Sequence, residues 1–268
     1  MTKVHPSAVI DKNVELGDAV EIGPNCVVEA GVRIGSGTVL DANVFICKNV
    51  RIGNGNHLFP NCTIGCNPQM LGMERDAPVG QLVIGDRNVL REQVTIHPGM
   101  KEGQITQIGN DNLLMVGSHI GHDCNLANMI VLSNFCQISG HCHIGQGVWF
   151  SGIVASHQFV TIGKWSYASG LSGLNRDVPP FLIASGHYPP LIRGVNKRGL
   201  SRAGLDEQQQ QKIHWAYEIL YRQDGPLLEN ALKLAQDEGV DENVQAIIDS
   251  IVNSSKHRYG RYLETFRH

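Results

Sequence analysis

An aliphatic side chain stands at every sixth position from Ile10 to Ile64: Ile10, Leu16, Ile22, Val28, Ile34, Leu40, Ile46, Ile52, Leu58 and Ile64. Glycine often follows it, at Gly17, Gly23, Gly35, Gly53 and Gly65. The phase slips once, between Ile64 and Ile84, so residues 66–83 hold an inserted loop. Ile84, Leu90 and Ile96 continue the count, and it runs on from Ile108 through Leu114, Ile120, Leu126, Leu132, Ile138, Ile144 and Phe150. Ser156 interrupts it, Ile162 restores it, and Ala168 and Leu174 close it. A period of six matches neither a helix at 3.6 nor a plain strand at 2. It matches a coil of short strands with a turn in each hexad. Three hexads make one triangular rung, and rungs stack as parallel strands about 4.8 Å apart.

The aliphatic residue of each hexad points inward, and so does a small residue four places later. Cys26, Cys62, Cys124, Cys136 and Cys142 all fall on that second position and read as small core residues. One side of such a prism is too short to enclose a substrate, so function belongs on its outer faces or between chains. The repeat ends at Asp177-Val178-Pro179-Pro180, where consecutive prolines remove ladder donors. Helical spacing follows, in the stripes Ile213-Ala216-Tyr217-Leu220-Tyr221, Leu227-Leu228-Ala231-Leu232-Leu234-Ala235 and Val244-Ile247-Ile248-Ile251-Val252. The expected organisation is mainly β: a parallel β-helix over residues 1–190, then a small α-helical domain over residues 191–268.

Composition excludes several classes. Hydrophobic residues make up 42% and charged residues 18% of the 268, which argues against disorder. A net charge of −3 argues against nucleic acid as a general partner. No apolar run reaches the length of a membrane span, and the N-terminus has no signal-peptide core. Seven scattered cysteines suit a reduced, cytoplasmic protein. Residues 178–205 carry Arg193, Lys197, Arg198 and Arg202 without an acid. That stretch reads either as a solvated face or as a site for phosphates or an acidic partner.

The chain has 12 histidines, and they cluster at His119 and His122, at His141 and His143, and at His157. In the hexad frame none of His119, His122, His141 and His157 is forced inward, so all can face a groove. Two chemistries compete for them. Histidine is the usual general base near neutral pH, and Asp123 beside His122 could orient its ring. Histidine is also a zinc ligand, and prisms of this repeat include zinc carbonic anhydrases. Their His-x4-His pattern is absent here, which favours the reading without a metal.

The ordered motifs Ile84-Gly85-Asp86-Arg87-Asn88, Arg91-Glu92-Gln93-Val94-Thr95-Ile96-His97, Asp111-Asn112-Leu113-Leu114-Met115, His119-Ile120-Gly121-His122-Asp123-Cys124, Ser139-Gly140-His141, His157-Gln158-Phe159, Asp177-Val178-Pro179-Pro180 and Gly194-Val195-Asn196 carry a family resemblance. The chain resembles, over nearly its whole length, the acyl-carrier-protein-dependent UDP-N-acetylglucosamine O-acyltransferases that open lipid A synthesis. The resemblance implies a left-handed parallel β-helix and a homotrimer with sites in the clefts between subunits. It implies acyl carrier protein as donor partner, a UDP-sugar as acceptor, and no metal or redox cofactor. His122 matches the family's general base, Asp123 its partner, and Gly140 the backbone donor to the thioester oxyanion. His119, His141, His157 and Gln158 match substrate contacts, Asn196 and Arg202 match nucleotide contacts, and Gly170 matches the position that limits acyl length.

The sequence departs from that pattern in places. Gln69-Met70-Leu71-Gly72-Met73 lacks an Asp and a Lys that touch the sugar nucleotide in the family. Arg198 stands where the family has a nucleotide-contacting Glu, Ala203 stands where it often has a second Arg, and His187-Tyr188-Pro189-Pro190 is one residue longer. Either Arg193, Lys197 and Arg198 re-make the grip, or the acceptor differs. An N-acyltransferase on an amino-sugar nucleotide is therefore the alternative expectation.

Overall fold

The computed structural model describes residues 1–74 and 76–267. Short strands, mostly of two residues, stack into three parallel sheets of eleven, nine and eight strands that form the walls of a triangular solenoid. The register explains the hexad. Leu40 pairs with Leu58, Leu132 with Phe150, and Ile144 with Ile162, each 18 residues apart. Equivalent hexad positions therefore lie on top of one another, and every inward aliphatic contacts its copies above and below. Among the aliphatic hexad positions Ile22 to Ile162 are at most 4% exposed. Burial of these columns is the main favourable term for the fold.

The five inward cysteines are buried and unpaired. Each thiol donates to a carbonyl 15 residues or more ahead, as Cys124 does to Ser139 at 3.1 Å and Cys142 to His157 at 3.1 Å. The other two cysteines are brought together. Cys47 and Cys66 are neighbours, with Cα atoms 5.4 Å apart. Their separation of 19 residues is close to one coil, which puts them on adjacent rungs at the mouth of the inserted loop.

Two segments leave the coil. Ile64 pairs with Ile96, so residues between strands Thr63–Ile64 and Gln81–Ile84 form the expected loop. Ile96 then pairs with Ile120, a step of 24 residues instead of 18. A second loop, residues 97–104, thus leaves the prism. The two loops are tied together: Gly80 N–H donates to Gly99 O at 2.9 Å, and Gln81 N–H to Gln104 O at 2.9 Å. A Cβ at Gly80 would overlap the Gln104 carbonyl, so glycine is needed for this approach.

Strand Leu191–Val195 turns back antiparallel onto Leu182–Ser185 and still belongs to the eleven-stranded sheet. Helix Lys197–Arg202 follows, earlier than the apolar spacing indicates, capped by the Asn196 side chain. Helix Glu207–Arg222 begins with a capping box from Asp206 and Gln209, and Asp241 caps helix Glu242–Ser255. Ile213, Ala216, Tyr217, Leu220, Val244, Ile247, Ile248 and Ile251 are buried as the first and third stripes require. In helix Leu227–Leu234 only Asn230, Ala231 and Leu234 are buried, while Leu227, Leu228 and Leu232 are exposed. Trp165, Phe181, Leu182 and Val195 from the last coils join the helical core, so the helices seal the end of the solenoid. No helix among the described residues is long and apolar enough to cross a membrane.

Candidate active site

Each coil turns at three corners, and the corner residue adopts a left-handed backbone. At one corner these residues are Asp123, His141 and Phe159, with φ of 58°, 60° and 65°. Asp and His tolerate that conformation better than branched residues do. They are one coil apart and so stack in a column. The residues just before them, His122, Gly140 and Gln158, stack in the same way. His141 N–H donates to His122 O at 2.9 Å, and Phe159 N–H donates to Gly140 O at 3.1 Å.

This stacking explains the glycine. A Cβ built on Gly140 would lie 2.6 Å from His122 Nε2 and 2.7 Å from its Cε1. The imidazole of His122 occupies the space that any side chain at position 140 would fill. Its Nε2 therefore hangs directly over the Gly140 backbone. Gly140 N–H donates no hydrogen bond among the described residues, so it is free to donate.

His122 Nδ1 lies 2.7 Å from Asp123 Oδ2, and the two side chains are 15% and 9% exposed. The carboxylate accepts from Nδ1–H and so leaves the Nε2 lone pair free. Asp123 is itself held: Met100 N–H donates to both carboxylate oxygens at 3.2 Å, and Asp123 N–H donates to Thr106 Oγ1 at 2.7 Å. The second loop thus fixes the orienting acid. His141 stands edge-on to His122, with ring centroids 4.8 Å apart, and stacks flat on Phe159 at 4.4 Å. Its Nε2 is 3.7 Å from Asp123 Oδ2. Burial pulls the His141 pKa down, against the opposing pull of Asp123.

A second group lies on the adjoining wall. His119 Nδ1 is 2.8 Å from Thr95 Oγ1, and its ring meets His97 edge-on at 5.1 Å. Desolvation, then the like charges of His97 and His122, push the His119 pKa down to about 4. His97 is 7% exposed, and its Nδ1 is 2.7 Å from Cys66 O. Burial lowers its pKa as well.

A cavity of about 590 Å³ opens on the corner column. His122, Asp123, His141 and Gln158 line it, and Gly140 lies beneath the His122 ring. His143, Phe159, Met100, Lys101 and Gln104 line it too, with Gln69 and Met70 from the first loop. Leu263, Phe266 and Arg267 complete the wall from the C-terminal segment. His119 and His157 are not on this wall. His157 is exposed, with Nδ1 3.1 Å from Gln158 O. The ligand atoms of His122, Asp123 and His141 lie within 4.8 Å of one another, so these three side chains are the candidate metal ligands among the described residues.

The expected nucleotide contacts sit at a different corner of the same chain. Asn196 is buried: its Nδ2 donates to Trp165 O at 2.8 Å and its Oδ1 accepts from Gly199 N–H at 3.1 Å. Both ends of the amide therefore cap the first helix and tie it to the corner at Trp165. Arg202 lies over the Trp149 and Trp165 rings at 5.2 and 5.4 Å and reaches Met129 O at 3.4 Å. Arg198 is exposed on the same helix. Gly170 is exposed, and a Cβ there would meet Gly152 O and Ser151 Oγ at 3.4 Å and Ser151 Cβ at 3.9 Å.

Residues 177–260 match the family profile described as UDP N-acetylglucosamine O-acyltransferase, domain 2. Residues 1–36 match the bacterial transferase hexapeptide profile. The chain is 43% identical over 263 residues to the acyl-[acyl-carrier-protein]–UDP-N-acetylglucosamine O-acyltransferase of Paraburkholderia phymatum, covering 96% of this chain and 98% of that protein. It is 40% identical over 258 residues to the same enzyme of Halorhodospira halophila, with coverage of 96% and 98%. Among solved structures, the Francisella novicida UDP-N-acetylglucosamine acyltransferase superposes with a TM-score of 0.88 at 33% identity, covering 96% of this chain and 92% of that one. The chain belongs to the acyl-[acyl-carrier-protein]–UDP-N-acetylglucosamine O-acyltransferase family.

Proposed function

We propose that this chain transfers a 3-hydroxyacyl group from acyl carrier protein to the 3-hydroxyl of UDP-N-acetylglucosamine, with His122 as general base. One observation carries the assignment of roles: His122 Nε2 lies over the backbone of Gly140 while its Nδ1 is held by Asp123 at 2.7 Å. A sugar hydroxyl is a poor nucleophile until a base takes its proton. Nε2 removes that proton as the oxygen attacks the thioester carbonyl. The carbonyl oxygen becomes an oxyanion, and the free N–H of Gly140 stabilises it. The C–S bond then breaks, and the imidazolium returns its proton to the departing sulfur. Asp123 holds the tautomer and offsets the positive charge on the ring. His141, kept neutral by burial, donates a hydrogen bond to substrate from the same wall. None of these steps calls on a metal or a redox cofactor.

The split between corners supports a homotrimer. The base lies at the corner of Asp123 and His141, whereas Asn196, Arg198 and Arg202 lie at the corner of Trp165. One prism cannot bring two of its own corners together. Copies packed side by side around a parallel axis bring the nucleotide corner of one against the base of another. The relatives' names support oxygen as the acceptor atom over the amine alternative. An acyl-transfer assay over a panel of sugar nucleotides, including the 3-hydroxy and 3-amino acceptors, with several acyl carrier protein thioesters is the test. Transfer to the 3-amino sugar alone would overturn the assignment.

A further inference from the structure

The cavity over His122 is closed on one side by a segment that the sequence motifs did not mark. After helix Glu242–Ser255 the chain runs back along the solenoid and ends, among the described residues, in a short 3-10 turn over Tyr262–Phe266. Its anchoring is specific. Asp177 N–H donates to Gly260 O at 2.7 Å. Asp177 Oδ2 accepts from Tyr262 N–H at 2.8 Å, while Oδ1 accepts from Thr161 N–H at 2.7 Å. One carboxylate therefore holds both the segment and a solenoid coil. Arg261 is 6% exposed, donates to Asn175 O at 2.9 Å and pairs with Glu264. This pinning sets Leu263, Phe266 and Arg267 into the cavity wall opposite the second loop.

The charges on that wall are unbalanced. Among the described residues its one carboxylate is Asp123, already engaged by His122 and Met100 N–H. Among the described residues its permanent cations are Lys101 and Arg267. Lys101 has no ion pair among the described residues. The acid near Arg267 is Glu264, at 3.5 Å, and that carboxylate is shared with Arg261 and with His257 at 3.6 Å. The Arg267 side chain is 63% exposed, with its guanidinium 5.7 Å from the Phe159 ring that stacks on His141. At the mouth of a partly buried cavity, Lys101 has no anionic partner among the described residues, and Arg267 shares its one carboxylate with Arg261 and His257. Lysine and arginine side chains at a cavity mouth suit a phosphate, which accepts charge-assisted hydrogen bonds from either.

We propose that the C-terminal segment is a strap which presents Arg267, together with Lys101, to a substrate phosphate. The proposal rests on the assigned reaction, in which both substrates carry this chemistry. The acceptor has the diphosphate of UDP, and the donor has the phosphodiester of its phosphopantetheine arm. The strap thus makes Arg267 a substrate-binding residue of this chain's own cleft.

Calorimetric titration of the full-length protein tests it with four probes: UDP, uridine, 4′-phosphopantetheine and pantetheine. Arg267→Ala should weaken one phosphate-bearing probe about tenfold, the effect of one lost charge-assisted hydrogen bond. Its phosphate-free counterpart should bind as before. Weakening of UDP identifies the acceptor diphosphate, and weakening of phosphopantetheine identifies the donor arm. Arg267→Lys should retain binding within about threefold, because the positive charge remains. Equal binding of both phosphate probes to wild type and Arg267→Ala overturns the proposal. So does an equal loss for probes with and without phosphate, which marks a structural role. A parallel transfer assay separates the two levels of inference. Absence of wild-type transfer sinks the assigned reaction, while the phosphate titration decides the strap by itself.

Discussion

Gly140→Ala isolates the contact between His122, the proposed base, and Gly140, the proposed oxyanion donor. The new Cβ would sit 2.6 Å from His122 Nε2, where ordinary contact begins near 3.4 Å. The backbone at position 140 is not left-handed, so alanine meets no conformational penalty there. The neighbour that must yield is the free end of one imidazole, which costs the fold little. Nε2 must move by roughly 0.8 Å, the difference between those two distances, and Nδ1 must tilt against an Asp123 carboxylate fixed by Met100. A displacement of about 1 Å at a reacting group costs on the order of 10²-fold in rate. That corresponds to about 2.7 kcal/mol of activation free energy.

Steady-state kinetics and a thermal melt read the two consequences separately. The expected result is a kcat about 100-fold lower, KM values within about threefold, and a Tm within a few degrees of wild type. The alanine keeps its own N–H, so the loss reports displacement of His122 and not removal of the oxyanion donor. Two substitutions that act through one contact are not additive. His122→Ala combined with Gly140→Ala should therefore be no slower than His122→Ala alone. A Gly140→Ala enzyme within threefold of wild-type kcat would refute the stacked geometry of base and donor.

Other expectations follow from the same site. His122→Ala should lower kcat at least about 10²-fold with substrate binding largely kept, and Asp123→Asn should cost less, because the base remains; kinetics with both variants check this, and full activity of the alanine variant removes His122 from the mechanism. Chelator treatment should leave activity unchanged, whereas loss on chelation and rescue by zinc would put an ion on His122, Asp123 and His141. Gly170→Met should shorten the preferred acyl chain without unfolding, since a Cβ there makes only ordinary contacts; an unchanged preference in a donor series places the length limit elsewhere. Acid should destabilise the fold through His119, whose folded pKa of about 4 lies below the ordinary 6.5. The unfolded chain takes the proton first, so this stability is present above pH 6.5 and is lost as pH falls towards 4. Its size is about 3 kcal/mol at most, and denaturant midpoints that stay flat between pH 7 and pH 4.5 contradict it.

The hexad made the prism legible because side-chain period and coil stacking are the same fact at two levels. The first loop was legible for a related reason: it adds a number of residues that is not a multiple of six, so the phase slips at Ile84. The second loop adds six residues between Ile96 and Ile120, which leaves the phase intact. Periodicity is blind to such an insertion, although Met100 and Lys101 in it reach the site. His122, Gly140 and Gln158 lie one coil apart, so their convergence could be read from spacing alone. Arg267 lies far along the chain, and its approach depends on Asp177 anchoring Tyr262. No local pattern encodes that contact. Asn196 shows the opposite case: its capping role in this chain is visible only once Trp165 O and Gly199 N–H are placed around it.

These placements also account for where the chain departs from the pattern it resembles. A residue in a coil has a copy above and a copy below, and His122 over Gly140 shows how tightly such neighbours constrain each other. A change there disturbs two rungs at once. Residues on loops and on the C-terminal segment touch the cavity without belonging to the stack. The altered Gln69 to Met73 stretch lies on a loop, and Met70 lines the same cavity as Lys101 and Arg267. The His122 column can therefore stay intact while other cavity-lining groups are exchanged between loop and tail. If the tail cation has replaced a loop cation, the two positions should be interchangeable. Met70→Lys in the Arg267→Ala background should recover most of the tenfold loss in phosphate-probe affinity, because both side chains project into one cavity. It should leave kcat unaltered, since neither residue is given a part in the proton transfer. Recovery confined to Arg267→Lys, with none from Met70→Lys, would show that the loop and the tail serve different parts of the substrate.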